Sequence, residues 1–168
     1  MPDRRLLLDI CSQVCNGMAY LEKHRCIHRD LQAKHCMFGD NMVVKVADFG
    51  LPGCVFDKEY TIPTGKHFPV KWAAPEVLNF TRFSSKSDVW AFGVLMWEIY
   101  TGGELPYGNM KNVDVFDYVC QSGNRLEQPT NCPAFVYEAM LKCFDHEAAG
   151  RLSFQELLLT LVRMADTQ

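Results

Sequence analysis

The sequence predicts a mainly α fold with a few short β-strands, and three observations carry that reading. Leu7, Cys11, Val14, Met18 and Leu21 recur at helical spacing near the start. Three brief runs, Cys26-Ile27, Cys36-Phe38 and Val43-Val46, then have strand character and stop. From about Asp88 onward the apolar periodicity is helical to the end.

The elements follow in order. Residues Arg4 to Lys23 read as one amphipathic helix. Gly39-Asp40-Asn41 reads as a hairpin turn between the second and third strands. Gly50 to Val70 holds Pro52-Gly53, Pro63 and Gly65 and reads as one long irregular loop. A loop of that length inside a compact domain is usually functional. Ser85, three residues before Asp88, resembles an N-cap for a helix from Asp88 to Tyr100. That helix is apolar nearly all round, as expected of one in the middle of a core. Gly102-Gly103 ends it. Further helices are expected at Val113-Cys120, Phe135-Phe144 and Phe154-Met164. The last opens with Ser153 and Glu156 at capping-box spacing.

Composition bounds the function. The 168 residues suit one domain or a large piece of one, and 48% apolar content is enough for a core. A net charge of -3 and the lack of a basic run argue against nucleic-acid binding. Eight cysteines include no CxxC pair, so a zinc ribbon is not expected. Several lie in apolar runs, where a thiol acts as a small hydrophobe, and a reducing compartment is expected. Asp9 and Ser12 break the first apolar stretch, so no signal peptide is read. The longest apolar run, Val89 to Tyr100, is too short to span a membrane and contains Glu98.

Three motifs carry chemistry. His28-Arg29-Asp30-Leu31 sits between two strands, Asp48-Phe49-Gly50 follows a third, and Ala74-Pro75-Glu76 closes the long loop. Each tripeptide is weak alone; their order and context match the catalytic loop, metal-binding turn and activation-segment end of protein kinases. Phosphoryl transfer needs a carboxylate to orient the attacking hydroxyl, and Asp30 is the candidate. It needs a second carboxylate to hold magnesium against phosphates, and Asp48 is the candidate. Gly50 gives the freedom to turn sharply. Glu76 and Arg151 are expected to form a buried ion pair anchoring the segment.

The chain resembles the C-terminal lobe of a cytoplasmic, non-receptor protein-tyrosine kinase, closest to the Tec family, over essentially its whole length. Phe68-Pro69-Val70-Lys71-Trp72-Ala73-Ala74-Pro75-Glu76 is similar to the peptide-binding segment of tyrosine kinases, and Phe83 to Ile99 is similar to the Tec-family helix. The resemblance implies a protein-kinase-like fold in which residues 1–168 supply the C-lobe portion of the catalytic domain, with no N-lobe. Within it the catalytic loop is 28–36, the activation segment 48–76 and the helical subdomain 83–168. It implies ATP and magnesium as cofactors, with Asp48 and the residue at position 35 facing them. Arg29, Asp30 and Lys34 take catalytic positions, and Pro69, Val70, Lys71 and Trp72 take substrate-binding ones. His28, Phe49, Gly50, Glu76, Asp88 and Arg151 take structural ones. Asp88 should hold the catalytic-loop backbone from below. Tyr60 matches the activation-loop phosphorylation site, with Arg29 as partner for its phosphate. Lys86 reads as a solvated charge.

Departures from the family pattern matter as much. Where relatives read His-Arg-Asp-Leu-Ala-Ala-Arg-Asn, this chain reads His28-Arg29-Asp30-Leu31-Gln32-Ala33-Lys34-His35. The Asn that supplies a hard oxygen to magnesium and steadies the catalytic Asp is replaced by His35. Imidazole nitrogen suits zinc or copper better. Lys34 keeps a charge but lacks the planar fork of Arg. Pro52-Gly53-Cys54 replaces a stretch that usually carries an Arg. Phe144 and Leu152 replace a Trp and a Pro and read as a changed fit of side chains inside the core, with no functional role. The expected function is ATP-dependent phosphorylation of tyrosine in proteins during intracellular signalling. The alternative is an impaired pseudokinase or truncated binding module. Expected partners are tyrosine-bearing protein substrates, an N-lobe and regulatory domains. The expected location is the cytoplasm, with membrane recruitment through other domains.

Overall fold

Asp3 sets the start of the first helix by accepting a hydrogen bond from the Arg5 amide at 3.1 Å. Helix α1, Arg4–Lys23, buries Leu7, Leu8, Cys11, Val14, Cys15 and Met18 along one stripe and lays part of that stripe on the last helix, α6. The computed structural model describes residues 2–48, 55–56, 60–61 and 69–167, with 55–56 and 60–61 described in backbone only. Phe49, Gly50 and the Pro52-Gly53-Cys54 departure therefore lie outside the described residues.

Among the described residues six short strands form three antiparallel pairs. β1 (Cys26–Ile27) pairs with β4 (Val55–Phe56), β2 (Cys36–Phe38) with β3 (Val44–Val46), and β5 (Tyr60–Thr61) with β6 (Arg82–Phe83). In the β2–β3 hairpin, Cys36 faces Val46 and Phe38 faces Val44. The turn is a 3-10 turn at Asp40–Met42, one residue beyond the expected Gly39-Asn41, with Asn41 and Met42 in left-handed backbone. Gln13 on α1 steadies this hairpin: its amide donates to the Met42 carbonyl, and its oxygen accepts from the Val44 amide.

The remaining helices are α2 (Pro75–Phe80), α3 (Ser85–Thr101), α4 (Asn112–Phe116), α5 (Ala134–Cys143) and α6 (Phe154–Asp166). α3 is the central one, buried on every face from Ser87 to Glu98. Its cap is Ser84, not Ser85. Ser84 is extended, and its hydroxyl accepts from the Lys86 and Ser87 amides while the Ser87 hydroxyl accepts from the Ser84 amide. Ser85 is already helical, so the helix begins three residues earlier than Asp88. Gly102, at φ 73°, ends it in left-handed backbone that a Cβ would strain. Gly93 lets α3 approach α5, since a Cβ there would stand 2.7 Å from the Cβ of Cys143. The stretch expected as one helix at Val113-Cys120 is α4 followed by a π turn, Asp117–Gln121. There the Ser122 amide reaches back five residues to the Asp117 carbonyl. α6 opens with the Ser153–Glu156 capping box.

Seven of the cysteines are described, and no two of them are joined by a disulfide. Burial pushes the Cys143 thiol up to about 12. Cys11 and Cys15 are raised further by the same cause. Among the described residues no helix is long and apolar enough to cross a membrane.

Candidate active site

The loop after β1 is organised from beneath by α3. Asp88 is buried, and its carboxylate accepts from the His28 amide at 2.8 Å and the Arg29 amide at 3.0 Å. Burial pushes Asp88 up to about 7, against the pull of those two amides. The contact holds Arg29 at φ 71°, a conformation rare for a residue with a side chain. Such strain persists only where surroundings over-determine it.

His28 uses both ring nitrogens. Nδ1 accepts from the Asp30 amide at 3.1 Å, so Nε2 carries the proton and donates to the Ala47 carbonyl at 2.9 Å. Burial lowers its pKa below 6.5, partly offset by the Ala47 bond and by the carboxylates of Asp30 and Asp48. His28 thus joins the loop bearing Asp30 to the segment bearing Asp48. Asp48 itself is exposed, at φ 49°.

Asp30 is engaged from within its own loop. Its Oδ1 accepts from Gln32 Nε2 at 2.6 Å. His35 Nδ1 donates to the Asp30 carbonyl at 2.7 Å and stands 3.6 Å from Asp30 Oδ2. His35 lies in a 3-10 turn, Ala33–His35. Its bond to the Asp30 main chain closes the loop and spends the Nδ1 proton. A neutral ring then has only Nε2 left as a ligand atom. Magnesium requires hard oxygen, so Asp48 fits that ion and His35 does not. Among the described residues no group of three or more His, Cys, Asp or Glu side chains is placed to hold a metal. Lys34 is exposed.

The segment Pro69–Trp72 faces this loop. Val70–Trp72 form a 3-10 turn. A cavity of about 20 Å³ is lined by Arg29, Asp30, Pro69, Trp72 and Asp88 among others. Lys71 Nζ donates to the Gly108 carbonyl at 2.7 Å. For Tyr60 the backbone alone is described, paired with Phe83.

A second cluster lies under α2. Arg151 is buried and meets Glu76 twice, Nη1 to Oε1 at 2.7 Å and Nη2 to Oε2 at 2.9 Å. Its remaining donors go to the carbonyls of Asp145, Lys86 and His146. Removing one partner of a buried pair typically costs about 3–5 kcal/mol. Lys86 is not merely solvated: its ammonium donates to the Arg151 carbonyl.

Two residues of this site carry no role in the sequence reading. Gln32 is buried beside Asp30; its signal was an amide two residues past a candidate base, where relatives carry Ala. Glu98 is the other; its signal was a carboxylate inside a helix apolar all round, and a buried charge is the informative kind of exception.

The loop that bears Asp30 thus hangs on the N-terminal end of a buried helix and is faced by the Pro69–Trp72 segment. The model of the protein tyrosine and serine/threonine kinase family matches residues 2–161, and the chain belongs to that family. Its relatives are tyrosine-protein kinases. It is 54% identical over 162 residues to the tyrosine-protein kinase Btk of Drosophila melanogaster, covering 96% of this chain and 20% of that protein. The tyrosine-protein kinase TXK of Mus musculus is 46% identical over 98% of this chain and 31% of its own length. The cytoplasmic tyrosine-protein kinase BMX of Mus musculus is 46% identical over 90% of this chain and 23% of its own. These are non-receptor kinases of the Tec family, in agreement with the motifs. The chain spans about a fifth to a third of the length of these relatives.

Proposed function

We propose that this chain is the C-lobe portion of a tyrosine-kinase catalytic domain that transfers the γ-phosphate of ATP to tyrosine hydroxyls of proteins. Residues 28–36 are its catalytic loop, 48–76 its activation segment and 83–168 its helical subdomain. The observation that carries the reading is the suspension of His28-Arg29-Asp30 from the buried Asp88 carboxylate, opposite the Pro69–Trp72 turn. In this reading Asp30 orients the substrate hydroxyl and accepts its proton. Its backbone is fixed through His28, its carboxylate by Gln32. Pro69, Val70, Lys71 and Trp72 form the shelf for the substrate chain, and the Glu76–Arg151 pair anchors that shelf. Asp48 holds magnesium, which when bound neutralises phosphate charge. Tyr60 is the phosphorylation site, and Arg29 the partner of its phosphate. Cytoplasmic signalling, with recruitment to membranes by segments beyond these residues, goes with the same reading.

His35 favours a second reading, an impaired pseudokinase that binds partners. The imidazole keeps the loop-closing bond to the Asp30 carbonyl that an amide would make. It lacks the oxygen an Asn would offer magnesium. The structural half of the duty is kept and the metal half is lost. Restoring that oxygen tests it: in the natural full-length product, His35→Asn is expected to raise the transfer rate to a tyrosine-bearing copolymer by at least about tenfold, the order of one charge-assisted contact. An unchanged rate would sink this account of position 35.

A further inference from the structure

Asp30 carries the candidate base, and its carboxylate is held differently from its main chain. The main chain has two fastenings. The Asp30 amide donates to His28 Nδ1, and the Asp30 carbonyl accepts from His35 Nδ1. The carboxylate has one. Gln32 Nε2 donates to Oδ1 at 2.6 Å, and among the described residues no other donor bonds either oxygen. His35 Nδ1 stands 3.6 Å from Oδ2, outside hydrogen-bond range. Gln32 is set in place by its neighbours. Its backbone is extended, at φ -146° and ψ 158°, and Leu31, between it and Asp30, is fully buried. In extended backbone residues two apart share a side. Gln32 itself is buried, while the Asp30 side chain keeps 25% exposure. A buried donor thus grips one oxygen of a carboxylate that is otherwise open to a substrate.

The residue at position 35 gives the reason for a donor at position 32. A primary amide carries two N–H groups on one nitrogen, whereas a neutral imidazole carries one N–H in all. An amide nitrogen standing where His35 Nδ1 stands has one proton for the Asp30 carbonyl and a second for Oδ2. The imidazole serves the carbonyl alone.

We infer that Gln32 is a positioning residue that compensates for His35: it takes over the holding of the Asp30 carboxylate, pinning Oδ1 and leaving Oδ2 as the acceptor for the substrate proton. The inference rests on the tyrosine-kinase reading and deepens it. Gln32 acts on the substrate only through Asp30. A base must lie within hydrogen-bond reach of the proton it takes, so a loosened carboxylate slows the transfer step and leaves the binding of both substrates as it was.

The test is a double-mutant cycle in the natural full-length product, with ATP and a copolymer of glutamate and tyrosine as substrates. Gln32→Met keeps the length of the side chain and removes the donor; His35→Asn supplies the amide. Gln32→Ala serves as a second variant with the same expectation. Thermal unfolding first shows that the variants are folded. Beside wild type, Gln32→Met is expected to lose about tenfold in kcat, the order of one hydrogen bond to a charged group, with KM for ATP and for copolymer unchanged. Beside His35→Asn, the same change is expected to cost less than about twofold, because the second N–H of the amide then holds the carboxylate. Equal losses in the two backgrounds, or no loss in either, would overturn the compensation; a Gln32 that serves only to stabilise the loop gives equal losses. Crystal structures of wild type and Gln32→Met separate this from the kinase reading. The Asp30 carboxylate is expected in one orientation in the wild type and spread over more than one in the variant. Should the wild type label no tyrosine, the kinase reading fails alone and this comparison decides: a spread carboxylate upholds the role of Gln32, and a single unchanged orientation contradicts it.

Discussion

At the scale of single residues, His28 shows how one ring can order a loop. Its two nitrogens have opposite duties, Nδ1 accepting from Asp30 and Nε2 donating to Ala47. Protonation would place a second N–H against the Asp30 amide. That agrees with a pKa held below 6.5. An imidazole lowered in the folded state contributes stability that is present above the unfolded value of 6.5 and is lost as pH falls through the folded one. Asp88 runs the other way. Its folded value is raised from 3.8 to about 7, so its contribution is present below 3.8 and lost as pH rises through about 7. The difference between wild type and His28→Gln isolates the imidazole. Urea unfolding should show the wild type losing more stability than the variant as pH drops below 6.5. Parallel curves would mean that the ring is not held neutral.

At the scale of elements, the packing of α3 on α5 depends on a missing side chain. A Cβ at Gly93 would meet Cys143 Cβ at 2.7 Å and Phe144 Cε1 at 2.8 Å. The Cys143 Cβ sits next to backbone and has little room to yield. Gly93→Ala should therefore destabilise by about 1–3 kcal/mol, the usual cost of overpacking, read from the urea midpoint. A midpoint unchanged or raised by the better helix propensity of Ala would show that the helices can part. Elements of this kind were legible in the sequence to different depths. α1 was legible to its ends, because an apolar stripe and polar flanks mark the helix. The expected position of α5 was within a residue of the observed Ala134–Cys143. The cap of α3 was misplaced by one serine, because Ser84 and Ser85 are chemically alike and only the extended backbone of Ser84 distinguishes them. The π turn at Asp117–Gln121 left no trace, since its extra residue per turn changes hydrogen bonding and not composition. In the candidate site the motifs gave Asp30, Asp48 and Asp88 by resemblance to kinases. Gln32 was passed over although its partner Asp30 lies only two positions away; Glu98 was not legible, because its role comes from partners brought in by folding, such as Trp72, 26 positions from it.

At the scale of the whole molecule, the described core is built around α3. Packed on it are α1, α5, the β1 strand and the turns that carry His35 and Trp72. The two carboxylates of α3 hold two different parts of the site. Asp88 holds the loop at His28 and Arg29, and Glu98 holds it again at Ala33 together with Trp72. A buried helix that cannot shift without repacking the core gives such contacts a rigid base. The most direct measurement is transfer of labelled γ-phosphate from ATP to a tyrosine-bearing copolymer by the natural full-length product, beside its Asp30→Asn variant. The account requires label on tyrosine with the wild type and its fall by about a hundredfold or more in the variant, the usual range for a lost proton acceptor. Equal labelling by the two, or none by the wild type, would contradict it.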